Sequence, residues 1–305
     1  MYEETAVSKE WGDRIGTEII AAIAGKKLLP VAELDRGFVH PTSPAQVSVS
    51  YFQAGRICGY IAKEWGERKL LAMLARFGQG ASTADVVRAE LALAPEEFDR
   101  RFLAAVEAET KKTVDGFDAW RKQWKIVVEA ARKQDHDTVL HEGAAIRDLY
   151  PDYVEAGSVY ELLADAYLAR KRRPEALAEF DRYTLAGGRD PALLKKYAAM
   201  LEEDGRKVDA AAVLDRINYI QPLDEELHAR LGNLWLEANN AAGAIREFRA
   251  VLARNPIDPA AAHFNLARAY RRNSQPELAK EEILAALEAA PGYRPAQKLL
   301  LEMSR

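Results

Sequence analysis

Four stretches in the second half of the chain repeat one order of small and large apolar positions. They are Leu163-Ala164-x-x-Tyr167 with Ala176 and Phe180, and Tyr197-Ala198-x-x-Leu201 with Ala210 and Leu214. Leu231-Gly232-x-x-Trp235 with Ala244 and Phe248 follows, then Leu266-Ala267-x-x-Tyr270 with Ala279 and Ile283. Within each stretch the apolar residues recur at three- and four-residue steps, which predicts amphipathic helices in pairs. Pro222, Pro256 and Pro291 close the last three units and stand 34 and 35 residues apart. The pattern divides the region into repeats at about 157–190, 191–224, 225–258 and 260–293. A degenerate first repeat spans about 120–153, with Trp120, Trp124, Val127, Val128 and Ala131 on one helix and Val139, Ala144 and Ile146 on the next. Leu299, Leu300 and Leu301 place a covering helix in 294–305.

Residues 1–115 lack this repeat but are still helical in pattern. Ile15, Ile19, Ile20 and Ile23 predict a helix near 13–25, ended by Gly25 and Pro30. Ala54, Ile57, Cys58, Ile61 and Trp65 predict another over 48–65, stopped by Gly66. Leu70, Leu71, Leu74 and Phe77 form the apolar stripe of a third. Ser82 or Thr83 can cap a fourth, and Pro95 suits the first position of a fifth, with Glu96 and Glu97 at its positive end. No alternating strand pattern occurs. The expected fold is all-α: a small helical domain, 1–115, then a helix-turn-helix solenoid, 116–305, with Gly116 as the boundary.

The repeat resembles the tetratricopeptide family, whose helix pairs recur at about 34 residues. The small residues Ala164, Ala198, Gly232 and Ala267 would let paired helices approach, while the aromatics fill the space between pairs. A solenoid of this kind presents a surface to partners. Projecting the first helix of each pair puts Glu161 and Asp165, Lys195 and Lys196, Arg230 and Asn233, and Phe264, Asn265, Arg268, Arg271 and Arg272 toward the groove. Asn233 and Asn265 stand where tetratricopeptide domains of the carboxylate-clamp type place asparagines. Ala229 replaces the accompanying lysine. That departure speaks against clamp-type capture of a C-terminal Glu/Asp motif, and the expectation is an acidic or extended peptide near Arg230 and Arg268, since guanidinium suits carboxylates. The run Arg170-Lys171-Arg172-Arg173 reads as a solvated turn.

A second resemblance covers about 1–110. Leu28-Leu29-Pro30, Ser50-Tyr51-Phe52-Gln53-Ala54-Gly55, Trp65-Gly66, Leu70-Leu71 to Phe77-Gly78-x-Gly80, and Glu97-Phe98 to Phe102 resemble the helical part of gluzincin (peptidase MA-like) metallopeptidases. Such enzymes take zinc from a HExxH helix and a glutamate in a segment like EGLAVYEE. Met1-Tyr2-Glu3-Glu4 looks like the tail of that segment, so the zinc site would lie upstream of this chain. Tyr51 is the remnant candidate for oxyanion stabilisation by resemblance, with Phe52 as the other possible aligned position. His141-Glu142-Gly143-Ala144-Ala145 begins like the zinc motif but has Ala145 in place of the second histidine. The expectation is a non-catalytic interaction scaffold without a cofactor. The alternative is the C-terminal portion of a zinc metallopeptidase, with zinc only if an upstream segment supplies its ligands.

Composition narrows the classes. The chain has 305 residues, is 49% hydrophobic and carries a net charge of −4, from 43 basic and 47 acidic residues. That balance argues against a general nucleic-acid binder. Cys58 is the lone cysteine, so no intrachain disulfide forms. No apolar run reaches the ~20 residues of a membrane span. The polar start is unlike a signal peptide, which suggests a soluble protein, cytoplasmic by default and exported if it belongs to a longer precursor.

Overall fold

A computed structural model describes residues 14–303. The described residues are helices, turns and loops, and the chain divides into two compact units that meet in sequence at Gly188 and Arg189. The tail-like Tyr2-Glu3-Glu4 lies outside the described residues.

The first unit opens with α1 (Thr17–Ala24), a 3-10 turn (Val31–Glu33) and the single-turn α2 (Arg36–Val39). Then come α3 (Pro44–Trp65), α4 (Glu67–Gly78), α5 (Thr83–Leu91), α6 (Pro95–Arg132), α7 (His136–Leu149), α8 (Val159–Ala169) and α9 (Arg173–Leu185). α3 and α4 are separate helices because Gly66 takes φ +88°, a backbone conformation that only glycine adopts without penalty. Ser82 caps α5, its hydroxyl accepting from the Asp85 amide at 3.2 Å. Ile20, Ile61, Val86, Val87, Phe98 and Phe102 sit at the centre of this core. The loop at 28–31 is pinned by two side chains. Gln53, buried in α3, accepts from the Leu29 amide at 3.0 Å, and Asp99 accepts from the Val31 amide at 2.9 Å.

Two expectations are corrected here. Gly116 does not separate domains: α6 runs unbroken through it, and its buried series Val106, Thr110, Trp120 and Val127 stays in helical register on both sides. An interior glycine costs a helix about 1 kcal/mol, which 38 residues of packed helix absorb. The α4 stripe is also incomplete. Met73 is buried, whereas Leu71 and Leu74 are 67% and 64% exposed and Phe77 is 40% exposed. The apolar arc of α4 is wider than the face it shares with α3 and α5.

The second unit contains α10 (Pro191–Glu203), α11 (Lys207–Asn218), α12 (Glu225–Glu237), α13 (Ala241–Ala253), α14 (Pro259–Arg272), α15 (Pro276–Ala289) and α16 (Arg294–Met303). These are three helix pairs and a closing helix, and each packs on its neighbour in sequence. The small positions serve the expected purpose. Ala198, Ala210, Ala244, Ala267 and Ala279 are fully buried. A Cβ added to Gly232 would lie 2.6 Å from the Phe248 ring. α16 covers the last pair through Ala296 and Leu299, which join Ala267, Ile283 and Ala286 in one cluster.

One local device recurs inside each helix pair from α6–α7 to α14–α15. Gln134, Lys171, Gly205, Asn239 and Ser274 each take a left-handed conformation just past the first helix. The next amide then reaches back to a carbonyl five residues earlier: Asp135 to Ala130, Arg172 to Tyr167, Arg206 to Leu201, Asn240 to Trp235 and Gln275 to Tyr270, at 2.7–2.9 Å. This is the Schellman ending, which satisfies orphan carbonyls and reverses the chain. The α6–α7 turn at Gln134 shares it, so the segment read as a degenerate repeat has the same turn geometry as the others.

Candidate binding face

The first helices of the second unit, α10, α12 and α14, carry the predicted groove residues, and α16 extends the same series. Their side chains form a ladder from one first helix to the next. Lys195 on α10 pairs with Asp224, the N-cap of α12, at 2.8 Å. Burial pushes the Asp224 carboxyl up, but hydrogen bonds from Lys195 and the Leu227 amide and the nearby charges hold it below its ordinary value. Arg230 on α12 donates through Nε and Nη2 to Glu202 of α10. Arg271 on α14 pairs with Glu302 of α16 at 2.9 Å. Lys196 is exposed beside Lys195. Three of the predicted cations therefore already have carboxylate partners.

Arg268 and Arg272 differ. Arg268 Nη1 donates to the amide oxygens of Asn265 at 3.0 Å and Asn233 at 3.5 Å, while its guanidinium stands 5.9 Å from the Phe264 ring. Arg272 Nε donates to Asn239 Oδ1 at 3.0 Å. Neither has a carboxylate partner among the described residues. Amide oxygens orient a guanidinium without cancelling its charge, and both side chains keep unused N–H donors. Asn233 Nδ2 is itself engaged with the Ala229 carbonyl at 2.9 Å. The two asparagines thus converge on Arg268 rather than standing ready for a peptide backbone, as the clamp resemblance had implied. Phe264 is half-buried and packs edge-on against Tyr293 at 5.6 Å.

A cavity of about 570 Å³ opens at this point, lined by Leu236, Glu237, Arg268, Arg271, Arg272 and Leu299. Glu237 on its wall is paired with Lys207. Leu236, Glu237 and Asn239 were absent from the sequence reading, and Leu299 was read only as part of the covering helix. The repeat pattern puts Leu236 and Leu299 in the core, and only the fold shows that their outer edges floor a cavity.

Elsewhere, Tyr51 stands on the exposed side of α3, its ring edge-on to Phe38 at 4.9 Å, and Phe52 is buried. Among the described residues no cluster of three or more His, Cys, Asp or Glu side chains is placed to hold a metal ion. His228 and His263 join the helices of a pair: His228 Nδ1 lies 2.7 Å from buried Glu247, and His263 Nδ1 lies 2.6 Å from Glu282. His141 touches its neighbour Glu142 at the surface. In the basic turn, Arg170 pairs with Asp137 and Arg172 with Glu175. Among the described residues no helix is long and apolar enough to cross a membrane.

The fold is similar to several solved helical-repeat structures. One is YrrB, described as a TPR protein with an unusual peptide-binding site, at 18% identity over 58% of this chain and 89% of that one, TM-score 0.40. Another is MamA from Desulfovibrio magneticus RS-1, at 25% identity over 48% and 81%, TM-score 0.37. The TPR domain of P58(IPK) aligns at 15% identity over 94% and 91%, TM-score 0.29. No family model and no curated protein matches the sequence.

Proposed function

We propose that this chain is a non-catalytic interaction scaffold that binds a partner protein through the face built by α10, α12, α14 and α16. The observation that carries this reading is the pair of guanidiniums, Arg268 and Arg272, held on that face by neutral amides and left without a counter-charge. Exposed cations that only solvate a surface gain little from fixed geometry. Two that are positioned by side chains from neighbouring repeats suit recognition of an anionic segment, because guanidinium donors match carboxylates in shape and charge. The partner is therefore a peptide segment with acidic character.

Site-specific photo-crosslinking tests the face. Benzoylphenylalanine at Lys196 or Arg271 captures the partner in cells, whereas the same probe at exposed Ala242 or Glu281, on the second helices, does not. Equal capture from both sets of positions would remove the assignment of function to the first-helix face.

A further inference from the structure

The cavity between α12, α14 and α16 is more specific than a basic face. Its walls carry the two uncompensated guanidiniums, and its floor is Leu236 from one repeat and Leu299 from the closing helix. The other charges at its rim are neutralised in place, Arg271 by Glu302 and Glu237 by Lys207. An anion entering here meets two fixed sets of N–H donors and no opposing free carboxylate among the described residues. A polar anion alone would leave the leucine floor wetted. A carboxylate joined to a large aliphatic group fills both parts, and about 570 Å³ is within the range of pockets that take small organic groups.

Building on the proposed binding face, we infer that this cavity is a recognition pocket for an acidic residue directly preceded by a large aliphatic residue in the partner peptide. The carboxylate bridges Arg268 and Arg272, and the aliphatic side chain lies on Leu236 and Leu299. α16 is then part of the site as well as the cover of the last pair. Asn233, Asn265 and Asn239 are positioning residues, since each holds a guanidinium through its amide oxygen.

Four acetylated peptides decide the matter by NMR of the arginine Nε–H signals in the full chain. They are Gly-Ser-Gly-Leu-Glu with a free C-terminus, Gly-Ser-Gly-Leu-Glu-Gly-Ser-amide, its glutamine counterpart, and its Leu-to-Ser counterpart. The first two shift the Arg268 and Arg272 signals in saturable fashion at millimolar concentration. The glutamine and serine peptides each bind about tenfold more weakly, the effect of removing one charged hydrogen-bond partner or one buried side chain. R272Q weakens the leucine–glutamate peptides to the level of the glutamine peptide. The exposed position of Arg272 leaves the helical circular dichroism unchanged. Tighter binding of the free-acid peptide than of the amide identifies a terminal carboxylate as the source, and equal binding identifies the side chain. Equal binding of all four peptides, or unmoved Arg268 and Arg272 signals, overturns the pocket. If crosslinks at Lys196 and Arg271 persist in that case, the binding face stands without this pocket; if those crosslinks are absent too, both fall.

Discussion

Replacing Gly232 by alanine measures how tightly the helix pairs close. In a helix interior this change ordinarily stabilises by about 0.8–1 kcal/mol, because alanine loses less backbone freedom than glycine. At Gly232 the new Cβ would lie 2.6, 2.8 and 2.9 Å from Cε1, Cζ and Cδ1 of Phe248. Carbon contacts are comfortable at about 3.5–4.0 Å, so three ring atoms are too close by most of an ångström. Phe248 is buried and its ring is rigid, so α12 and α13 must part. Overpacking of this sort costs about 1–3 kcal/mol, leaving a net destabilisation of about 0–2 kcal/mol. Gly116→Ala is the control, since its Cβ would meet nothing within 4 Å and only the helix gain applies. Native-state hydrogen exchange reports each unit separately. Amides of α12 and α13 exchange up to about 30-fold faster in Gly232→Ala, while those of α6 slow by about fivefold in Gly116→Ala. If Gly232→Ala slows exchange in α12 and α13 as Gly116→Ala does in α6, the close approach at Gly232 is not what holds the pair, and the reasoning fails.

The left-handed turn residues give a matched test: Ser274→Gly, at φ 56°, stabilises α14–α15 by about 1 kcal/mol, and Gly205→Ala, at φ 73°, destabilises α10–α11 by a similar amount, both read by urea denaturation. Because the Asp224 carboxyl is held below its ordinary value, its contribution is present above about pH 4 and is lost as pH falls through the lower folded value. Asp224→Asn keeps a good helix cap, so exchange in α10–α13 becomes less sensitive to acid than in the wild-type protein. Tyr150→Phe removes the donor to the buried Ile15 carbonyl and destabilises the first unit by about 1–3 kcal/mol, which faster hydrogen exchange of the α6 and α7 amides around Trp120, 5.0 Å from the Tyr150 ring, reports.

Much of the architecture was legible because helix pairing forces small residues to recur. Ala164, Ala198, Gly232 and Ala267 mark the close contacts, and all four lie at buried positions. The turns were less legible. Gln134, Lys171 and Ser274 occupy left-handed positions that favour glycine, held there by the helices on either side, so their residue types give no signal. Gly116 misled for the converse reason: a glycine inside a long helix looks like a break when the tertiary contacts that carry the helix past it are not visible. The proposed binding face was half legible. Periodicity placed Arg230, Arg268, Arg271 and Arg272 on first helices, but pairing of Arg230 with Glu202 and Arg271 with Glu302 spans about 30 residues in sequence and depends on the repeat stagger. Only after those pairs are removed do Arg268 and Arg272 stand out.

Selection from a displayed peptide library against the wild-type chain and against Arg268→Glu/Arg272→Glu, with matched circular dichroism, tests the central claim most directly. The account predicts that peptides enriched on the wild-type chain contain an acidic residue beside an aliphatic one and are lost on the charge-reversed chain. Enrichment of the same peptides by both proteins would contradict it.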